Sequence, residues 1–176
     1  MSIRWTRPLL LASLMIAAAF LLACGGDDDD GDGDGESTAA DQMEHEAEPG
    51  VVGEKPAEAT QVDVRLQEWA IAPAQASVAA GQVYFLVENT GPDHPHEFVI
   101  IRTDLGPLDL PFEDNGVPED QVEVVNEIEE FAPDSSASIT ADLTAGTYLL
   151  ICNITEEDEE IGSHYKKGMV APFTVE

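Results

Sequence analysis

Basic residues are scarce in this chain of 176 residues. It has seven Lys and Arg against 36 Asp and Glu, which gives a formal net charge of -29. A nucleic-acid-binding protein needs a basic patch to neutralise phosphates, so the composition excludes that class. The same charge repels anionic lipid headgroups and favours basic partners. Since 43% of the residues are apolar, the chain can still bury the core of one domain.

Cysteine is equally scarce, with only Cys24 and Cys152 in the chain. The two could pair as a single disulfide, but each has a separate explanation that its surroundings favour. A long helical period is also missing from about residue 60 onward, which argues against a helical bundle.

The first 23 residues have the pattern of an export signal. Arg4 and Arg7 are followed by an uncharged apolar stretch at 9–22, which is shorter than the roughly 20 residues of a membrane span. The segment 21–24, Leu-Leu-Ala-Cys, resembles the lipobox of bacterial lipoproteins. The resemblance implies cleavage before Cys24, acylation of its sulfur, and a lipid anchor on the extracytoplasmic side of the cell membrane. An ordinary secretory signal or an uncleaved anchor would also export the domain.

Residues 24–60 are rich in Asp, Gly, Glu, Ala and Pro and poor in apolar side chains. Such a segment cannot offset the entropy of ordering, and its like charges extend it. We therefore predict a disordered acidic linker between the anchor and the domain. Met43 and His45 could touch a soft metal ion, but without a ligand cluster nearby they are interpreted as solvated side chains.

From residue 61 to 176 the pattern changes to short apolar runs with a period of two, separated by Gly, Pro, Asn and Asp. This pattern predicts an all-β Greek-key sandwich. The predicted strands lie within 62–66, 83–87, 98–101, 122–128, 138–143, 148–152 and 170–175. The segment 104–121 contains three prolines and predicts a long loop with one short helical turn.

Four side chains in this domain carry metal-binding chemistry. His96 opens one predicted strand and Cys152 ends another, while His164 and Met169 lie in the loop before the last strand. One thiolate, two imidazoles and one thioether are the ligands of a blue-copper electron-transfer site. Each residue alone could be an ordinary core or loop residue, and it is their combination that indicates copper. His94 competes with His96, which we favour because it enters the apolar strand directly.

Three stretches of the domain stand out: ENTG at 88–91 with PH at 95–96, LTAGTY at 143–148 leading into Cys152, and GSHYKKGM at 162–169. They resemble the cupredoxins, the family of plastocyanin and azurin. The resemblance implies an electron carrier with one type 1 copper ion bound by His96, Cys152, His164 and Met169. It also implies a membrane-bound or soluble redox partner, such as a cytochrome, an oxidase or a reductase, and we expect a monomer.

The chain departs from this family in two places. Eleven residues separate Cys152 from His164, and the surplus includes the acidic run 156–160, whose charge should favour Cu(II) and lower the reduction potential. Glu97 stands where small cupredoxins often have an Asn that ties down the backbone near the Cys. An ionised Glu cannot donate that hydrogen bond.

The sequence leaves other functions open. The same ligands could serve an extracytoplasmic copper-delivery protein, the scaffold could be a metal-free binding module, and zinc could replace copper. An enzyme is not expected, because there is no second repeat or His-rich cluster to build a further copper site. If electrons are transferred, we expect the ring edge of His164 to be their exit.

Overall fold

A computed structural model describes residues 47–158 and 160–176. The predicted signal peptide, the lipidation site Cys24, the linker as far as residue 46, and the pair Met43 and His45 lie outside the described residues. Within the described ranges, no helix has the length and apolar character needed to cross a membrane.

The described residues form two mixed β-sheets. One sheet has the strand order β2-β1-β4-β7 and the other β3-β9-β8-β5-β6, and the pairs β1–β4 and β3–β9 are parallel. The strands are β1 (Thr60–Gln67), β2 (Ala70–Pro73), β3 (Ser77–Val78), β4 (Gly81–Asn89), β5 (His96–Arg102), β6 (Glu123–Phe131), β7 (Ser135–Leu143), β8 (Gly146–Ile151) and β9 (Val170–Val175). A four-residue helix, α1 (His164–Lys167), precedes β9, and a 3-10 turn lies at Glu119–Gln121.

The all-β sandwich predicted from the sequence is confirmed. In β1 every second side chain is buried, as the period of two requires. The aromatic centre of the core is Phe85, whose ring lies 5.4 Å from that of Phe98 and 5.7 Å from that of Phe173. Each such side chain, fully buried, stabilises the fold by about 1.5–3 kcal/mol. This core fixes β4, β5 and β9 relative to one another.

The predicted long loop covers the outer face of the five-stranded sheet. Leu110 and Val117 from this segment are buried with Ile101, Leu149 and other side chains that point away from the main core. Strands β5 and β8 are therefore buried on both faces, which explains their nearly continuous apolar sequence. The predicted helical turn appears as the 3-10 turn at the end of this segment.

The chain from residue 47 to 59 lies beside the edge strand β7, although the sequence assigns it to the linker. The backbone N–H of Gly50 donates to Ser135 Oγ (3.0 Å), and that of Gly53 donates to Ser138 Oγ (2.8 Å). The N–H of Ser138 donates in turn to the carbonyl of Val51 (3.0 Å). These contacts attach part of the predicted linker to the sheet, because β7 supplies hydrogen-bond partners that composition does not reveal.

Candidate metal centre

His96 lies at the start of β5, after a turn that two side chains hold in place. Asn89 donates from Nδ2 to the carbonyl of His94 (3.1 Å). Glu68 Oε1 accepts hydrogen bonds from the backbone N–H groups of Asp93 (3.1 Å) and His94 (2.9 Å). These hydrogen bonds hold the turn in one conformation, which fixes the position of the His96 side chain at this end of the sandwich.

Cys152 directly follows β8, and its backbone is fixed on both sides. Its N–H donates to the carbonyl of Met169 (3.1 Å). The N–H of the next residue, Asn153, donates to Oε1 of Glu97. Glu97 thus ties down the backbone beside Cys152 as an acceptor, where an Asn would act as a donor. The Asn153 side chain also donates to the carbonyl of Val117 (2.9 Å) and so joins this corner to the covering loop.

The long acidic interval after Cys152 folds back on itself. Thr155 and Ser163 form an antiparallel bridge, and the N–H of His164 donates to the carbonyl of Ile154 (3.0 Å). Within the described residues, the two ends of the interval therefore lie side by side. This explains how eleven intervening residues still bring His164 next to Cys152.

The sequence around α1 aims His164 and Met169 toward the same place. Ser163 caps the helix, and Gly168 ends it in a left-handed conformation with φ of 116°, which an L-residue adopts only with strain. The N–H of Met169 then donates back to the carbonyl of His164 (3.1 Å). The Gly-Met pair of the sequence motif is therefore a helix stop followed by an inward turn.

Three of the predicted ligand atoms converge on one buried point. His164 Nδ1 lies 3.3 Å from Cys152 Sγ and 3.3 Å from His96 Nδ1, and His96 Nδ1 lies 3.9 Å from Cys152 Sγ. A triangle with these sides has a point about 2 Å from all three atoms, which is the length of a metal–imidazole bond. All three side chains have no solvent exposure. The arrangement is a preformed metal-binding group.

Met169 lies in the same buried core cluster as Cys152 and is itself fully buried. The backbone hydrogen bond between these two residues fixes their backbones side by side. A buried His-Cys-His-Met set fits a type 1 copper ion, since soft sulfur and imidazole ligands in a closed site suit both of its oxidation states.

Burial controls the charge of the three convergent groups. Burial and, after it, the adjacent His164 together lower the pKa of His96 to about 4. Burial also lowers the pKa of His164, against the opposing effect of Glu156. Both imidazoles are therefore neutral and have a nitrogen lone pair to donate. Burial raises the pKa of the Cys152 thiol to about 12, so metal binding must displace a proton from the sulfur.

His94 does not join this group, although the sequence made it a competitor of His96. Its side chain is partly exposed, and its Nδ1 lies 3.4 Å from Glu156 Oε1. The structure thus brings together His96, Cys152, His164 and Met169 and leaves His94 outside them. His94 and Glu156, with the outer nitrogen of His164, form a second group of possible ligands at the surface side of the site.

Trp69 was not singled out in the sequence, yet its ring covers the site. The ring centroid lies 4.7 Å from that of His164, 5.1 Å from that of His94 and 6.3 Å from that of His96. The only sequence signal was an aromatic residue just after the apolar alternation of β1. The His164 ring is fully buried beside the Trp69 ring, and its role as the electron exit stays a prediction.

Comparison with solved structures finds cupredoxins. Auracyanin from Roseiflexus castenholzii is 20% identical with a TM-score of 0.49, over 67% of this chain and 98% of that chain. Auracyanin A from Chloroflexus aurantiacus, described as a "blue" copper protein, is 18% identical with a TM-score of 0.48, over 67% and 99%. Rusticyanin is 19% identical with a TM-score of 0.46, over 75% and 91%. No protein-family model and no curated protein sequence matches the chain.

Proposed function

We propose that this chain is a type 1 copper protein that carries single electrons, with His96, Cys152, His164 and Met169 as the ligands. The observation that carries the proposal is the convergence of two imidazole nitrogens and one thiol sulfur within 3.9 Å of one another in a fully buried site. A bound copper ion supplies one-electron redox chemistry, and no substrate is transformed.

The protein's part is to hold the ligands still. His96 and Cys152 belong to the ends of paired strands, and the backbone of His164 and Met169 is fixed by hydrogen bonds to the same corner. Ligands that cannot rearrange keep the same geometry for both oxidation states, which keeps the reorganisation on electron transfer small. The closed cover of Trp69 favours an ion that stays in place, and so favours electron transfer over copper delivery.

The test is the absorption and electron paramagnetic resonance spectrum of the purified chain after loading with Cu(II). We expect an intense visible band from thiolate-to-Cu(II) charge transfer, which Cys152→Ser abolishes. His96→Gln and His94→Gln form a matched pair: the first should lose the band and the second should keep it. A copper-loaded wild-type chain without this band would refute the proposal.

We also propose that the protein acts at the outer face of the cell membrane, held there by lipid on Cys24, and exchanges electrons with a cytochrome, an oxidase or a reductase. The support is the lipobox-like segment followed by an acidic linker. Cell fractionation of the wild-type chain and a Cys24→Ser variant tests this location. We expect the first in the membrane fraction, and release of the lipid-free variant to the soluble extracytoplasmic fraction.

A further inference from the structure

The two imidazoles of the candidate metal centre each have an outer nitrogen without a hydrogen bond. His96 Nε2 and His164 Nε2 are buried, and neither has a hydrogen-bond partner. A buried polar group without a partner destabilises a fold, so such atoms require an explanation. Each of them faces a carboxylate: Glu68 Oε1 lies 3.9 Å from His96 Nε2, and Glu156 Oε1 lies 3.4 Å from His164 Nε2.

The two carboxylates differ in what else they bind. Glu68 Oε1 already accepts two backbone N–H groups, and its distance to His96 is too long for a hydrogen bond. The Glu156 carboxylate accepts no hydrogen bond from a backbone group of the described residues, and its neighbours are the imidazoles of His164 and His94, both at 3.4 Å. Glu156 is therefore the carboxylate that is free to serve a ligand.

We propose that Glu156 is a positioning residue that accepts the Nε2–H of His164 and thereby fixes Nδ1 as the nitrogen presented to the metal. The proposal rests on the proposed function, since it takes His164 as a ligand. Metal-binding histidines commonly donate their second ring N–H to a carboxylate, which sets the tautomer and raises the basicity of the ligand nitrogen. The unusually long acidic interval between Cys152 and His164 thus has a structural role, because it supplies this carboxylate.

The geometry assigns Glu156 to a hydrogen bond rather than to a second cation. His164 Nδ1 faces Cys152 Sγ at 3.3 Å, so a neutral ring that uses Nδ1 as a ligand carries its proton on Nε2. The nitrogen that carries this proton lies 3.4 Å from Oε1 of Glu156. A cation bound between His94, Glu156 and His164 would have to displace it and leave an imidazolate shared by two metals.

The hydrogen bond should favour Cu(II) over Cu(I). A carboxylate acceptor gives the imidazole more electron density to donate, and the higher charge of Cu(II) gains more from this than Cu(I) does. Removing the carboxylate should therefore lower the affinity for Cu(II) more than that for Cu(I). Each tenfold loss of this preference raises the reduction potential by about 59 mV for a one-electron couple.

The test compares Glu156→Gln with Glu157→Gln. Both substitutions remove one negative charge from the same loop, but Glu157 is exposed and contacts neither imidazole. A neutral amide is a weaker acceptor than a carboxylate. We expect Glu156→Gln to lower the affinity for Cu(II) about tenfold or more and to raise the reduction potential, with a much smaller change in Glu157→Gln.

A second readout uses the metal-free chain. Nitrogen-15 chemical shifts of His164 should show the Nε2–H tautomer in the wild type and in Glu157→Gln, and a mixture of tautomers in Glu156→Gln. Equal shifts of potential in the two variants, with an unchanged His164 tautomer, would overturn the proposal. So would stoichiometric Zn²⁺ binding to the copper-loaded wild type that Glu156→Gln abolishes. Failure of the proposed function looks different, because the wild type itself would then lack the blue band.

Discussion

At the residue next to His96, a carboxylate performs the task that an amide often performs in small cupredoxins. Glu97 accepts the N–H of Asn153, and burial raises the pKa of this carboxyl group to about 7. Glu97→Ala leaves that N–H without an acceptor, which should lower the free energy of unfolding by about 1–3 kcal/mol. Glu97→Gln keeps an acceptor oxygen and should cost clearly less.

Urea unfolding of the metal-free protein measures this difference. Glu129→Ala is the control, because Glu129 is exposed on β6 and makes no hydrogen bond among those of the described residues. Equal losses for Glu97→Ala and Glu97→Gln would show that the side chain acts through packing or charge and that the hydrogen bond contributes little.

Trp69 is the other residue whose removal has a defined consequence. Its ring contacts those of His94, His96 and His164, and aromatic pairs contribute about 0.5–1.5 kcal/mol each. Without this cover the closed site should open more often, so Trp69→Ala should release copper to a chelator about tenfold faster or more, since 1.4 kcal/mol corresponds to a factor of ten.

Phe112→Ala is the matched control for that experiment. Phe112 lies 6.3 Å from the ring of Tyr165 at the same end of the fold and does not cover the imidazoles. Rapid loss of copper from the wild type and from both variants would instead favour the copper-delivery function that the sequence left open.

At the scale of the element, the segment from α1 to β9 depends on one backbone conformation. Gly168 has φ of 116°, and an added Cβ would approach the carbonyl of Trp69 at 3.4 Å. Gly168→Ala should therefore lower the free energy of unfolding by about 1–2 kcal/mol or more. It should also shift the blue band, because Met169 follows directly. Gly53→Ala is the control, since its Cβ would meet only Ser138 Oγ at 3.7 Å; equal effects of the two would contradict the role of the helix stop.

The elements were predictable where the local pattern is strong. All seven predicted strands lie in β1 and β4–β9 with shifts of a few residues at their ends. The short strands β2 and β3 were missed, because Ala70–Pro73 and Ser77–Val78 have no alternation of their own and exist through pairing with β1 and β9. Their pairing is tertiary in origin, which short sequence windows do not contain.

The candidate site was likewise predictable only in part. The positions of His96, Cys152, His164 and Met169 at strand ends and in one loop were readable from spacing. The residues around them were not, because Trp69, Glu68 and Glu156 lie in loops without a regular pattern, and Trp69 and Glu68 are far in the chain from Cys152 and His164. Sequence-local rules therefore identified the candidate ligands, whereas their surroundings became visible only in the structure.

At the scale of the whole molecule, negative charge is the dominant feature, and two lysines oppose it at one place. From residue 61 onward four Lys and Arg face 23 Asp and Glu. Two of those four, Lys166 and Lys167, lie on α1 beside the metal centre, and Lys167 Nζ is 5.6 Å from the centre of the Trp69 ring. The overall field attracts cations, while these two lysines place positive charge beside the acidic groups of the site. The ionic strength decides whether the net charge or the charges near the site dominate, because the screening length is about 30 Å at 0.01 M and about 8 Å at 0.15 M.

The rate of oxidation of the Cu(I)-loaded protein by small complexes of opposite charge should reveal this balance. At low salt the net charge of the whole molecule determines the rate. A tripositive cobalt complex should therefore react fast, and its rate should fall as salt is added. The rate with hexacyanoferrate(III) should be low at first and rise with salt. Lys166→Gln with Lys167→Gln should slow hexacyanoferrate(III) at 0.15 M and leave the cobalt reaction nearly unchanged or faster. Rates that do not depend on salt for either oxidant would mean that the acidic surface serves solubility alone, and that a redox partner is selected by the contacts around Trp69 rather than by charge.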